Sequence, residues 1–139
     1  MDKRKYSARR EAILNLLRST TIHPGAQWIY KQLKHQIPRL SPGTVYRNLN
    51  ILRKERMAVS LGVIRGEERF DGITKPHPHL ICSSCGVVIN LPFDTADVLV
   101  KHCKELSVDD SFLIDFRQTV FYGLCSACQK NQCGDPEAA

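Results

Sequence analysis

The chain of 139 residues has no apolar run approaching the ~20 residues of a membrane span. Its first stretch, MDKRKYSARREAIL, is charged and lacks the apolar core of a signal peptide. The expectation is a soluble, cytoplasmic protein with no membrane partner. The HExxH motif of zinc proteases and the His-x-Glu of zinc deaminases are also missing. Two legible metalloenzyme patterns are thereby removed. The length allows one ordinary domain or two small ones with little core each.

Acidic residues are scarce in the first half. Residues 1–72 carry 15 Lys/Arg against 6 Asp/Glu, a balance of +9, whereas residues 73–139 carry 5 against 8, a balance of −3. A basic half joined to an acidic one suggests two domains, the first with a polyanionic partner. A lysine-rich solvated surface is the plainer alternative.

Ser7 predicts the N-cap of a helix over residues 8–18, with Ile13, Leu14, Leu16 and Leu17 on its apolar side. After His23-Pro24-Gly25 a second helix is expected near 25–36, where Ala26, Ile29 and Leu33 recur at helical spacing. Ile37-Pro38 ends it, because the residue before proline is pushed out of the helical region. Ser41 and Pro42 then open SPGTVYRNLNILRKE, a third helix with Val45, Leu49 and Leu52 as its buried stripe. Thr44, Tyr46, Arg47, Asn50 and Lys54 fall on or beside the solvated face. Hydroxyl, guanidinium and amide groups arranged this way can reach bases and phosphates in a major groove. Two alternating runs, 57–64 and 66–71, flank an Arg65-Gly66 turn and predict a hairpin. Three helices and a hairpin, all basic, describe a winged helix-turn-helix that binds double-stranded DNA.

The cysteines Cys82, Cys85, Cys125 and Cys128 form two CxxC knuckles. In a reducing compartment such a pair predicts a tetrahedral Zn(Cys)4 site, closed to chemistry and worth on the order of 10 kcal/mol to a small domain. Two separate redox dithiols are the alternative. The gap between knuckles needs structure of its own: a helix over 95–106 capped by Asp94, then one or two strands within 110–125. Cys103 reads as core and Cys133 as incidental. With the cysteines committed to zinc, His77 and His79 are left over. On an extended segment they share one face and can chelate a second ion, with further ligands from elsewhere. A local Cys2His2 site is the rival, although His-x-His lacks the spacing of finger helices.

Together, HPGAQWIY (23–30), SPGTVYRNL (41–49), RFDG (69–72), HPHLICSSCG (77–86) and YGLCSAC (122–128) make the sequence resemble the ferric uptake regulator superfamily of bacterial metal- and peroxide-responsive repressors. The resemblance spans essentially the whole length. It implies an α+β protein: a winged-helix DNA-binding domain over 1–72, a hinge at 73–76, an α/β dimerisation and metal-binding domain over 77–130, and a flexible tail over 131–139. The homodimer would bind roughly palindromic operators. By position Cys82, Cys85, Cys125 and Cys128 are the structural zinc ligands. Arg10, Thr44, Tyr46, Arg47 and Asn50 are the candidate DNA contacts, with Arg10 near the phosphates.

The resemblance also implies a regulatory Fe(II) or Mn(II) held by His23, Asp71, His77, His79 and the residue at position 90. His23 points to the peroxide-sensing branch. There Fe(II) reacts with hydrogen peroxide and a ligand histidine, His23 or His77, takes up oxygen, while Mn(II) fills the site without that chemistry. One position departs. Where the family usually places a carboxylate, this chain has Asn90, whose amide oxygen brings no charge. Three neutral imidazoles and Asp71 would leave a divalent ion about one net positive charge and weaken its binding. Glu68, Asp94 or a water could compensate.

Three other readings follow from these residues. A reversible iron, manganese or zinc sensor would use the same site without oxidation chemistry. A repressor whose regulatory site has decayed would bind its operator regardless of chelators. A zinc enzyme would leave the basic half without a role, so neither catalysis nor a small-molecule substrate is expected.

Overall fold

The computed structural model describes residues 7–92, 94–95, 97–98, 101–102 and 119–130. The chain divides into two compact units, Met1–Thr74 and Lys75–Ala139.

In the first unit three helices form where the start signals predict them: α1 (Ala8–Ser19), α2 (Ala26–Leu33) and α3 (Pro42–Lys54). Ser7 Oγ accepts the Arg10 amide at 3.3 Å, and Ser41 Oγ accepts the Thr44 amide at 3.1 Å. Each hydroxyl satisfies one of the amides that a helix start leaves without an internal partner. The second helix stops three residues short of the expected 36. Its last carbonyls turn inward instead, Leu33 O accepting from both Gln36 and Ile37 ahead of Pro38.

Ile13, Leu17, Ile29, Val45, Leu49, Leu52 and Phe70 are almost wholly buried and make one core. These are the positions that the helical periodicity assigns inward, joined by one aromatic from the hairpin. That hairpin pairs β1 (Val59–Ile64) with β2 (Glu67–Asp71), antiparallel. At its turn Arg65 and Gly66 have φ of 52° and 79°. Positive φ at both central residues suits the twist of a tight hairpin. The register slips between Ser60 and Val63, a bulge at which Gly62 has φ of 80°. The first unit is a winged helix-turn-helix.

The second unit holds a three-stranded sheet in the order β4-β3-β5: β3 (His79–Cys82), β4 (Val88–Asn90) and β5 (Val120–Gly123). The central strand pairs antiparallel with β4 and parallel with β5. A short helix, α4 (Ser126–Gln129), follows β5. Between β4 and β5, Asp94 and Thr95 are already helical, and Thr95 N donates to Pro92 O at 3.1 Å. Asp94 therefore lies inside the first turn and does not cap it, because the Pro92 carbonyl closes that turn. Residues 97–98 and 101–102 are helical as expected; the remaining residues of the helix expected to 106, most of the strands expected in 110–125, Cys103 and Cys133 lie outside the described residues. No described helix is long and apolar enough to cross a membrane.

Candidate metal centres and nucleic-acid interface

Strand pairing brings the two knuckles together. The parallel register sets Cys82 beside Gly123, and the Ser83 amide donates to Gly123 O at 2.8 Å, so the turn after β3 lies against the turn after β5. Each CxxC folds around its own sulfur. Cys82 Sγ accepts the Cys85 amide at 3.5 Å, and Cys125 Sγ accepts the Cys128 amide at 3.4 Å. Gly86, with φ of 78°, closes the first knuckle and donates to Cys82 O at 2.9 Å.

The four sulfurs lie within 4.8 Å of one another, and Cys85 Sγ is 3.8 Å from Cys125 Sγ. A tetrahedral zinc with Zn–S bonds of about 2.3 Å requires sulfur separations of about 3.8 Å. A disulfide needs about 2.05 Å. The arrangement fits Zn(Cys)4 and not paired dithiols. The surrounding dipoles prepare thiolates. Cys82 is lowered to about 6, first by the Cys85 amide and then by the Cys125 amide, against the cost of burial. Cys125 is lowered mainly by the Cys128 amide. At Cys85 the Val87 amide favours the thiolate, but burial and the sulfurs of Cys82 and Cys125 outweigh it, and its pKa is raised. A cation at the centre supplies the charge that lets all four ionise.

A second set of donors is built in the first unit from the wing strand. Three successive residues of β2 grip the connection between α1 and α2. The Arg69 guanidinium donates through Nε to His23 O and through Nη2 to Ile22 O at 2.8 Å. The Phe70 amide donates to Pro24 O at 3.0 Å. Asp71, next on the strand, then lies with Oδ2 3.3 Å from His23 Nε2, and both side chains are buried. Ligands about 2.1 Å from a common ion are separated by about 3.0–3.4 Å at adjacent coordination positions. The pair fits that geometry. His23 has φ of 53°, a left-handed conformation that costs a non-glycine residue about 1–2 kcal/mol. The Arg69 fork supports the backbone that carries it.

In the second unit the sheet fixes His79 through its pairing with Asn90, and its backbone amide donates a hydrogen bond to Thr119 O at 3.0 Å. The Leu91 amide reaches back to Pro78 O at 2.9 Å and extends that ladder towards His77. The rings of His77 and His79 have centroids 4.4 Å apart, so the two share a face as the extended segment predicts. His77 Nδ1 is 2.8 Å from Lys75 O, a pure acceptor, which requires the proton on Nδ1. Its Nε2 lies 2.9 Å from Asn90 Oδ1. The backbone carbonyl is the kind of partner that orients a metal-binding imidazole. Thus His77, His79 and Asn90 come together in one unit, and His23 and Asp71 in the other.

The solvated face of α3 carries Tyr46 and Arg47 exposed and Thr44 and Asn50 half-buried. Arg47 Nη2 donates to Thr44 Oγ1 at 3.1 Å, which in turn is 2.9 Å from Ser41 Oγ. Arg10 is half-buried, with its Nε enclosed. Asn48, on the same helix, is buried and donates to Thr44 O at 2.9 Å. Glu68 is occupied on the wing, where it accepts from Tyr46 and Ser60. Glu68 and Arg69 are the residues that sequence reasoning missed in these roles. Only the RFDG motif hinted at the second.

Known proteins agree with this architecture. A family model described as the ferric uptake regulator family matches residues 2–111. The peroxide operon regulator of Bacillus subtilis is 30% identical over 128 residues, covering 92% of this chain and 86% of that protein. Among solved structures, the Campylobacter jejuni peroxide stress regulator superposes with a TM-score of 0.67 at 27% identity, over 86% of this chain and 88% of that one. The Helicobacter pylori ferric uptake regulator, a protein with three functional metal binding sites, gives a TM-score of 0.72 at 24% identity, over 96% and 85%. This last likeness bears on the fold alone.

Proposed function

The chain belongs to the ferric uptake regulator family, and from that premise we propose that it is a dimeric, metal-dependent transcriptional repressor that responds to hydrogen peroxide. One observation carries the reading. The DNA-binding unit holds buried His23, on the connection between α1 and α2, with Nε2 3.3 Å from Oδ2 of buried Asp71, on the wing strand β2. A buried pair of this kind gives a divalent cation a hold on the unit that meets DNA.

We assign His23, Asp71, His77, His79 and Asn90 to one regulatory cation, and residues 73–76 to a hinge between the DNA-binding and dimerisation domains. With those side chains gathered on one ion, the hinge loses freedom. The two recognition helices of the dimer then keep the spacing that a roughly palindromic operator demands. The zinc held by Cys82, Cys85, Cys125 and Cys128 is structural and leaves no open coordination position, which argues against a zinc enzyme.

When bound at the regulatory site, ferrous iron supplies the reduction of hydrogen peroxide, and manganese does not. His23 and His77 are the imidazoles assigned to take up the oxygen. An oxygenated imidazole is a poor ligand, so the hinge is released and the operator with it. The similarity to the Bacillus subtilis peroxide operon regulator supports this branch. Asn90 favours a second reading, a reversible iron, manganese or zinc sensor without oxidation chemistry, because a neutral amide leaves the ion more positive and harder to oxidise.

Peptide mass spectrometry separates the two. Anaerobic protein loaded with Fe(II) and given a small excess of hydrogen peroxide gains one oxygen on His23 or His77, and the Mn(II) form does not. Unmodified histidines, with iron shown to be bound, would leave the reversible sensor.

A further inference from the structure

The wing and the recognition helix are joined by a directed chain of hydrogen bonds. At the bulge of β1 the Gly62 amide donates to Ser60 Oγ at 3.2 Å. The Ser60 hydroxyl donates to Glu68 Oε1 at 2.8 Å, and the Tyr46 hydroxyl donates to Glu68 Oε2 at 2.9 Å. The directions are fixed, because an ionised carboxylate accepts only. Both oxygens of Glu68 are therefore engaged, one by Ser60 of the wing and one by Tyr46 of α3.

A carboxylate is unexpected here. The unit carries a balance of +9, and an acidic group near DNA is repelled by phosphate. Tyr46 is nevertheless 44% exposed on the recognition helix, with Glu68 behind it. Its single proton is already given to Glu68, so what its oxygen offers outward is lone pairs. A phosphate oxygen, guanine O6 and N7, and thymine O4 are all acceptors and gain nothing from it. In the major groove the complementary groups are adenine N6 and cytosine N4, both amino donors.

We infer that Tyr46 and Glu68 form a base-reading element, in which Glu68 is a positioning residue that presents the Tyr46 oxygen as an acceptor for an adenine or cytosine amino group. The inference rests on the proposal that this chain binds DNA. It assigns Tyr46 to base readout and not to the phosphate backbone.

The test is selection from duplexes with a randomised centre of about 20 base pairs, using the full-length, zinc-containing, Mn(II)-loaded protein. Wild type is compared with Tyr46→Phe and Glu68→Ala. Wild type is expected to enrich a motif in which one position per half-site takes A or C over G or T by about tenfold. Tyr46→Phe loses that preference and leaves its neighbours unchanged. Glu68→Ala accepts G and T there as well, because the hydroxyl regains a proton to donate. If Glu68→Ala does not fold, Glu68→Gln serves, since an amide can also donate and should relax the same position. An unchanged motif in the variants would reduce the pair to a structural contact and overturn the inference. A uniform loss across sequences, with the salt slope reduced by about one, would make Tyr46 a phosphate contact and overturn it equally. If wild type enriches nothing, the DNA-binding proposal itself fails.

Discussion

His23 Nε2 lies 3.3 Å from Asp71 Oδ2 because the strand that carries Asp71 also carries the two residues that hold the His23 backbone. Arg69 binds the carbonyls of Ile22 and His23, and Phe70 binds that of Pro24 while filling the core. The donor pair is thus part of the wing's attachment to the helices. Anything that disturbs this attachment should weaken both stability and metal binding.

Arg69→Ala removes two charge-assisted bonds and is expected to cost the first unit about 2–3 kcal/mol. A lower urea midpoint at unchanged slope would show it. Mn(II) affinity should fall in parallel, as the left-handed His23 backbone loses its support. Lysine at 69 should recover only part of either loss, since a single ammonium cannot fork to two carbonyls.

Asn90→Asp adds a negative charge beside His77 Nε2. Calorimetric titration of the zinc-containing protein should show Mn(II) affinity rising at least about tenfold, a modest share of the attraction between unit charges near a protein surface. Asn90→Ala should lower affinity if the amide oxygen is a ligand. No change in either variant would remove position 90 from the site.

Zinc binding should depend on pH with a definite sign. Cys82 is lowered to about 6 from 9.0, mainly by the Cys85 amide. Its preference for thiolate is fully present above the ordinary thiol range and disappears as pH falls through about 6. Zinc content after dialysis against a weak chelator should therefore be complete near neutral pH and decline below about 6. Cys128→Ser should abolish retention and unfold the second unit, read as loss of its sheet signal by circular dichroism.

The sequence was most legible where one residue type carries one local meaning. Ser7 and Ser41-Pro42 mark helix starts by capping chemistry, Arg65-Gly66 marks a turn by backbone sterics, and CxxC marks a knuckle by thiolate chemistry. The periodic apolar positions likewise identify the core. Contacts set by tertiary packing were not legible. Nothing in GEERFD distinguishes Glu68, which reaches α3, from Arg69, which reaches the α1–α2 connection, until the strand is laid against both. The left-handed conformation of His23 was hidden too, since histidine before proline suggests extended backbone. The early end of α2 depends on where Leu33 O finds its partners, which composition does not resolve.

The central claim is that a cation held by His23 and its partners governs operator binding. The direct measurement is fluorescence anisotropy on a selected operator duplex. Protein that retains structural zinc would be compared with and without Mn(II), beside the His23→Ala variant. The account predicts that Mn(II) tightens wild-type binding by at least about tenfold, in the range of an ordinary allosteric coupling. It predicts that His23→Ala binds weakly under both conditions. Equal affinity with and without Mn(II), or a His23→Ala variant that responds as wild type does, would contradict it.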